Sequence, residues 1–256
     1  ALLVFAPMQL LSSISIMVQP GLVALSRIGE LLKLETEDQV SGDRKIGEIE
    51  NISFSDVSFA YTDKPVIHNF NLKAQKKDKI VLLGKNGSGK TTIAKLLVGF
   101  YKNYTGSIRI NGIELRDISV PDLRSRIGIV AQNIFLFSGS LLDNIRYVSP
   151  ELDEQEVMDA LKKAGLDISE FIGGLHFSIS ENGKNLSGGQ RQKIALARMI
   201  VKNPDVMIFD EATSNLDIAT SNLVKQSIRS IFSEKMCIII THDQNMESVA
   251  DKIFRL

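Results

Sequence analysis

The stretch IVLLGKNGSGKTTIAKLLVGF, Ile80–Phe100, decides the fold of this chain. It opens with four aliphatic residues in a row, as expected of a strand buried on both faces. A glycine-rich turn follows, GKNGSGKTT from Gly84 to Thr92, and then an apolar helix. Strand, loop and helix in that order are the context of a phosphate-binding loop. Gly84, Gly87 and Gly89 let the backbone wrap the β- and γ-phosphates with N–H groups pointing inward. Lys90 supplies a positive charge to those phosphates, and Thr91 offers a hydroxyl to Mg²⁺. The segment predicts binding of a nucleoside triphosphate.

Further along the chain stands a second such arrangement, LSGGQ at Leu186–Gln190, running into the helix QRQKIALARMIV from Gln190 onward. The Gly188–Gly189 pair beside Ser187 frees backbone N–H groups for close approach to an anion. The helix after it aims its positive dipole end the same way. Between the two lies IGIVAQ, a strand ending at Gln132. Beyond them, VMIFDE (Val206–Glu211) reads as a buried strand closing on two carboxylates, whose alternation would send Asp210 and Glu211 to different jobs. His242 then follows the apolar run CIIIT, whereas His68 and His176 read as structural.

The opening segments IENISFSDVSFAY and PVIHNFNLKA read as strands, and TGSIRINGIEL as a hairpin turning at Asn111-Gly112. From about Ser149 to Val201 the texture is helical, with Leu152, Val157, Leu161 and Ala164 at helix-like spacing. The expectation is an α/β core with a helical insert at about 133–200. Residues 36–47, TEDQVSGDRKIG, are polar, without periodicity, and read as a linker. The first 26 residues carry no charge and allow two readings. One is an amphipathic or partly buried helix. The other, preferred because of the motifs downstream, is the end of a transmembrane helix running out near Arg27–Glu35. A span needs roughly 20 apolar residues, and this stretch is diluted by serines, glutamines, Pro7 and Pro20. The start at Ala1 and the stop in the strand-like DKIFRL suggest that both ends are cut.

Of 256 residues, 44% are hydrophobic and 23% charged, and 30 basic side chains balance 30 acidic ones. This suffices for a sizeable core and gives no electrostatic footprint for nucleic acid. The single Cys237 lies in an apolar run, reads as a buried thiol and fits a reducing setting.

In number and order these motifs resemble the ATP-binding cassette family over residues 46–256. The resemblance implies a P-loop NTPase fold of that type, a mixed β-sheet core with an antiparallel β subdomain and an α-helical subdomain, here preceded by an N-terminal helix. It divides the chain into residues 1–35, the linker 36–47 and the nucleotide-binding domain 48–256. It also implies ATP and Mg²⁺ as ligands. The loop Gly84, Lys85, Asn86, Gly87, Ser88, Gly89, Lys90, Thr91 and Thr92 would hold the phosphates, and Lys90 would also serve catalysis. Asp210, Thr91 and Gln132 would serve the metal, with Glu211 as general base. His242 would contact the γ-phosphate and the attacking water. Tyr61 would stack on adenine, although it could equally pack on the opening strands. Ser187, Gly188, Gly189 and Gln190 would complete the site of a second cassette, and SNLD (Ser214–Asp217) would cross the interface between the two.

NIFLFSGSLLDNIRY (Asn133–Tyr147) and SENGKNLSGGQ resemble the exporter branch, and SISENG departs from its commoner form around Ser180 and Asn182. The partners this implies are a second nucleotide-binding domain, the coupling helices of a transmembrane domain and the membrane, without nucleic acid. All positions of the consensus are intact, which favours a homodimer with this domain on the cytoplasmic side of a multi-pass protein. The alternative is a soluble cassette ATPase acting on ribosomes or DNA. Such proteins carry two cassettes or a long coiled coil, and the chain shows neither.

Overall fold

The computed structural model describes residues 2–34, 42–212 and 218–256, with the backbone alone for 2–13, 15 and 218–220. It comprises two units, residues 1–41 and 42–256. In the first, α1 (Leu2–Leu32) is one helix that continues through Pro7 and Pro20. Apolar side chains along it, including Met17, Leu22 and Leu25, are exposed. Among the described residues, no helix is long and apolar enough to cross a membrane.

The second unit runs β1 (Asn51–Ala60), β2 (Pro65–Gln75), β3 (Lys79–Leu83), α2 (Lys90–Leu97), β4 (Thr105–Ile110), β5 (Ile113–Glu114), α3 (Val120–Arg126) and β6 (Ile127–Val130). It continues with β7 (Gly139–Ser140), α4 (Leu141–Arg146), α5 (Glu154–Lys163), β8 (Ser178–Ile179) and α6 (Gly188–Lys202). It closes with β9 (Val206–Asp210), α7 (Ile218–Arg229), β10 (Met236–Thr241) and β11 (Lys252–Arg255). Strands β11, β3, β10, β9 and β6 lie side by side in that order as a parallel sheet. Strands β2, β1, β4 and β5 form a separate antiparallel sheet.

The apolar runs that look uniform in sequence are divided by their pleat between two cores. Ile80, Leu82, Ile208, Ile238 and Ile240 join the antiparallel sheet, α2 and α3 in one cluster. Their neighbours Val81, Leu83, Met207, Phe209 and Ile239 join α4, α5, α6 and α7 in the other. Adjacent strand residues point to opposite faces, so a strand covered on both sides must be apolar throughout. The parallel sheet is therefore the wall between the two layers, and its strand ends are fixed from both sides.

Three helices of the helical layer begin with reciprocal caps: Ser140 with Asp143, Asp153 with Glu156, and Ser187 with Gln190. Each satisfies two of the N–H groups a helix start leaves open. The hairpin expected at Asn111-Gly112 is present between β4 and β5, with φ of 50° and 79° at its two central residues. Of the stretch expected as a linker, residues 42–47 are described. Arg44 bridges to Ile118, and Ile46 is buried.

Strand β1 bulges at Asp56, where φ is 49°, and loses register against β4 between Ser55 and Ser58. Gly106 lies against that bulge with φ of 81°. A Cβ there would come to 2.6 Å from the Ser55 carbonyl oxygen and closer still to that of Asp56. Backbone cannot yield as a side-chain tip can. Gly106→Ala is expected to destabilise the domain by ~2–4 kcal/mol, lowering Tm in a thermal melt by roughly 5–15 °C. An unchanged melt would mean that the bulge gives way freely.

Candidate nucleotide-binding site

The site lies where the parallel strands end. Gly84 follows β3, Gln132 lies just beyond β6, Glu211 follows β9 and His242 follows β10. Carboxyl ends of strands in an open α/β sheet are where such folds place their ligands.

The loop from Gly84 to Gly89 arrives at α2 with Gly89 in the left-handed region and no side chain capping the helix. This leaves the first N–H groups of α2 for a ligand, and the dipole favours an anion there. The contrast with the capped helices α4, α5 and α6 is local and clear. A Cβ on Gly84 would lie 2.7 Å from the Ser88 hydroxyl, and one on Gly89 3.0 Å from the Val66 carbonyl oxygen. Gly87, with φ of 84°, faces open space. Lys90 is 5% exposed, and its ammonium donates to the carbonyls of Gly84 and Lys85 at 2.7 and 2.8 Å. The cation is thus pinned to the loop it serves. Ser88 Oγ is buried with no hydrogen-bond partner in the protein, as expected of a hydroxyl awaiting a polar ligand.

Lys85 and Asn86 lie exposed on the loop, while Thr92 is buried. The Thr92 hydroxyl and Tyr61 Oη stand 3.0 Å apart. Tyr61 is 46% exposed, with its ring edge-on to Phe59 and Tyr101 at 5.0 and 5.3 Å. It therefore both packs on the opening strand and lines the open cleft over the loop, together with Val66, Lys90, Thr91, Gln132 and Glu211. Tyr101 had no motif to mark it, and its place behind Tyr61 comes from the chain's turn after α2.

Asp210, the last residue of β9, is buried and accepts a hydrogen bond from Thr91 Oγ1 at 3.1 Å. Burial raises its pKa above the ordinary 3.8, opposed by the Thr91 bond and reinforced by the charge of Glu211. A carboxylate so placed, with a hydroxyl and the Gln132 amide nearby, is an oxygen donor set that suits a hard cation. Among the described residues no cluster of three or more His, Cys, Asp or Glu could hold a metal by itself. Mg²⁺ takes one or two protein ligands and fills its shell with phosphate and water, and Asp210 with Thr91 offers such a pair.

The raised pKa has a consequence for the metal-free protein. Its folded state binds the Asp210 proton more tightly than the unfolded chain does. Stability from this group is present below pH 3.8 and is lost as pH rises through the raised value. Asp210→Asn is expected to raise the Tm of the metal-free protein at pH 7, and to leave it unchanged near pH 3.5. Addition of Mg²⁺ and nucleotide should reverse the order at pH 7. A lower Tm for the variant at pH 7 without metal would show that the carboxylate is not strained by burial.

Glu211 departs from the expected alternation. Strand β9 ends at Asp210, and Glu211 turns off it with φ of 50° while its N–H donates to the Ile240 carbonyl at 2.8 Å. A left-handed turn, not the pleat, separates the two carboxylates. Such a conformation costs ~1–2 kcal/mol in a residue with a side chain. The carboxylate is held at both oxygens: Gln132 Nε2 donates to Oε2 and His242 Nδ1 meets Oε1, each at 3.3 Å. With Glu211 ionised, the second contact requires the proton of His242 on Nδ1.

Ser187, Gly188, Gly189 and Gln190 do not line the cleft over the phosphate loop. Ser187 Oγ accepts from Gln190 N–H at 3.1 Å, and Gln190 Oε1 accepts from Ser187 N–H at 3.0 Å. The Ser187 hydroxyl still has its own proton to give. Asn144, part of the exporter-like stretch but given no role from sequence, is 1% exposed. Its side chain bonds Phe137 at both backbone groups, the Ser140 carbonyl, and Arg198. It thereby shapes the loop after Gln132. The segment Ser214–Asp217 lies outside the described residues.

A glycine-cradled phosphate loop, a buried acid at the end of β9 and a second carboxylate held by Gln and His define a P-loop nucleotide-binding ATPase domain. A family model for the ABC transporter matches residues 67–214. The chain belongs to the ABC transporter family. It is 34% identical over 254 residues to an ATP-dependent lipid A-core flippase of Francisella novicida, covering 98% of this chain and 43% of that protein. It is 37% identical to the flippase of the same description from Neisseria gonorrhoeae, covering 97% and 41%. The solved structure of a bacterial Atm1-family ABC exporter with ATP bound superposes with a TM-score of 0.87 at 29% identity, covering 98% of this chain and 45% of that one. The chain thus spans less than half the length of these relatives.

Proposed function

We propose that this chain is the ATP-hydrolysing domain of an exporter-type transporter, working in a pair with a second copy. The observation that carries the proposal is Glu211, held at both oxygens beside the phosphate loop, in a cleft that Ser187 and Gly189 of the same chain do not line. A site so built has its own base and lacks the second set of anion donors, which a partner's Ser187 and Gly189 would bring. ATP bound between them favours the closed pair, because only that state makes both sets of contacts.

Within one site, Lys90 and the α2 N-terminus hold phosphate charge, and Tyr61 takes the adenine face. Thr91, Asp210 and Gln132 would hold Mg²⁺, which supplies charge neutralisation on the phosphates when bound. Glu211 takes the proton of the attacking water, with His242 and Gln132 fixing the direction of its carboxylate. Hydrolysis removes the shared phosphate and releases the pair. These roles rest on positioning and charge, as phosphoryl transfer requires.

The exporter assignment is supported by the two relatives' descriptions and by an aromatic surface beside α6. Phe135, Phe137 and Tyr147 are exposed there, Phe135 edge-on to Phe137 and Phe137 tilted against Tyr147, beside Ile129, Arg198 and Lys202. We assign this surface to the coupling helices of a transmembrane domain. Residues 1–35 are assigned to the end of its last membrane helix, which would leave the domain in the cytoplasm. Nothing in the charge or fold favours a cassette acting on ribosomes or DNA.

The test is Mg²⁺-dependent ATPase activity of the full-length protein in liposomes. Activity modulated by lipid composition or by candidate cargo is the expected result. Activity indifferent to the membrane and stimulated by ribosomes or DNA would overturn the exporter assignment.

A further inference from the structure

Gln190 is more tightly specified than a helix cap requires. Its amide Oε1 accepts from Ser187 N–H, and its Nε2 donates to Glu170 Oε2 at 3.2 Å. An amide can rotate by half a turn and exchange its oxygen for its nitrogen, which would present a donor to the Ser187 donor and break the cap. A carboxylate on the far side excludes that rotamer, because an ionised carboxylate accepts only. Glu170 itself is placed by a short 3₁₀ turn, Ile168–Glu170, capped by Asp167, whose carboxylate accepts from Ser169 N–H at 2.9 Å. Phe171, next in the chain, is buried in the helical core. The position of Glu170 is therefore rigid at its backbone, although its side chain is exposed.

We propose that Glu170 is a positioning residue for ATP hydrolysis: it selects the Gln190 amide orientation that holds Ser187 and the start of α6 ready for the opposite cassette's nucleotide. The inference rests on the paired-cassette function proposed for this domain. The bond is exposed to solvent, where water replaces a lost partner, so its loss is read in turnover and not in stability. Ser187 serves the neighbour's site, so loss of Glu170 leaves nucleotide capture by the chain's own phosphate loop intact.

The test compares Glu170→Ala, Glu170→Gln, Gln190→Glu and the double variant Glu170→Gln/Gln190→Glu in the full-length protein in liposomes. Glu170→Ala is expected to lower kcat about tenfold, as small misplacement of a site group does, with Tm and the affinity for a fluorescent ATP analogue unchanged. Glu170→Gln can rotate its own amide to match either orientation of Gln190, so it no longer selects one and is expected to lower kcat as Glu170→Ala does. Gln190→Glu sets two carboxylates face to face, and Glu170→Gln in the same chain restores a donor–acceptor pair and rescues kcat. Glu170→Ala or Glu170→Gln at wild-type kcat overturns the role of Glu170 while leaving the transporter assignment intact. Absence of Mg²⁺-dependent ATPase in the wild type would instead overturn the paired-cassette function on which it rests.

Discussion

Glu211→Gln is expected to reduce steady-state ATP hydrolysis by ~10²–10⁴-fold, the range that loss of a general base produces. The isosteric amide keeps the size of the side chain and can still meet Gln132 and His242, so the geometry around β9 and β10 survives while the proton acceptor is lost. Nucleotide affinity should stay within about threefold of wild type, because uniform binding and transition-state stabilisation are separable. If closure of the pair depends on ATP and opening on its hydrolysis, the variant should also accumulate as an ATP-bound dimer, detectable by cross-linking across the interface. Turnover near wild type would remove Glu211 from the role of base. The left-handed backbone at Glu211 would then need another explanation.

Lys90→Ala should act one step earlier, on binding. The ammonium is nearly inaccessible to solvent and anchored by two carbonyls of its own loop, so its charge is delivered to the phosphates without further ordering. Removal of one partner of a buried charge pair costs ~2–5 kcal/mol, which corresponds to an affinity loss of about 30- to 4,000-fold. Titration with a fluorescent nucleotide analogue measures this directly. The two substitutions should therefore separate cleanly: Lys90→Ala depletes the bound state, and Glu211→Gln fills it. Unchanged ATP affinity in Lys90→Ala would count against the phosphate-loop assignment itself.

Much of this is legible in the residues. The phosphate loop, the second anion-binding helix start and the hairpin at Asn111-Gly112 are local devices, in which a few adjacent residue types set the backbone. The apolar runs of β3, β9 and β10 announce strands covered on both faces. Identifying the family needs only the order of these motifs.

Their meeting was decided by the fold. Gln132 and Glu211 are 79 residues apart in the chain, and Glu211 and His242 are 31 apart. They share a carboxylate because β6, β9 and β10 lie adjacent and parallel in the sheet and end at the same edge. Strand order depends on how two cores are packed, and no window of sequence carries it. For the same reason strand alternation is the wrong account of how Asp210 and Glu211 separate, since a left-handed turn tied to Ile240 achieves it. Glu170 has no sequence signal at all, since a single acid in a loop gains meaning only from the amide that the fold brings beside it. What the sequence determined by itself was therefore the set of chemical groups and the local backbone that presents them. Which of those groups share a proton, a charge or a hydrogen bond was decided by tertiary packing, because such contacts depend on distance in space.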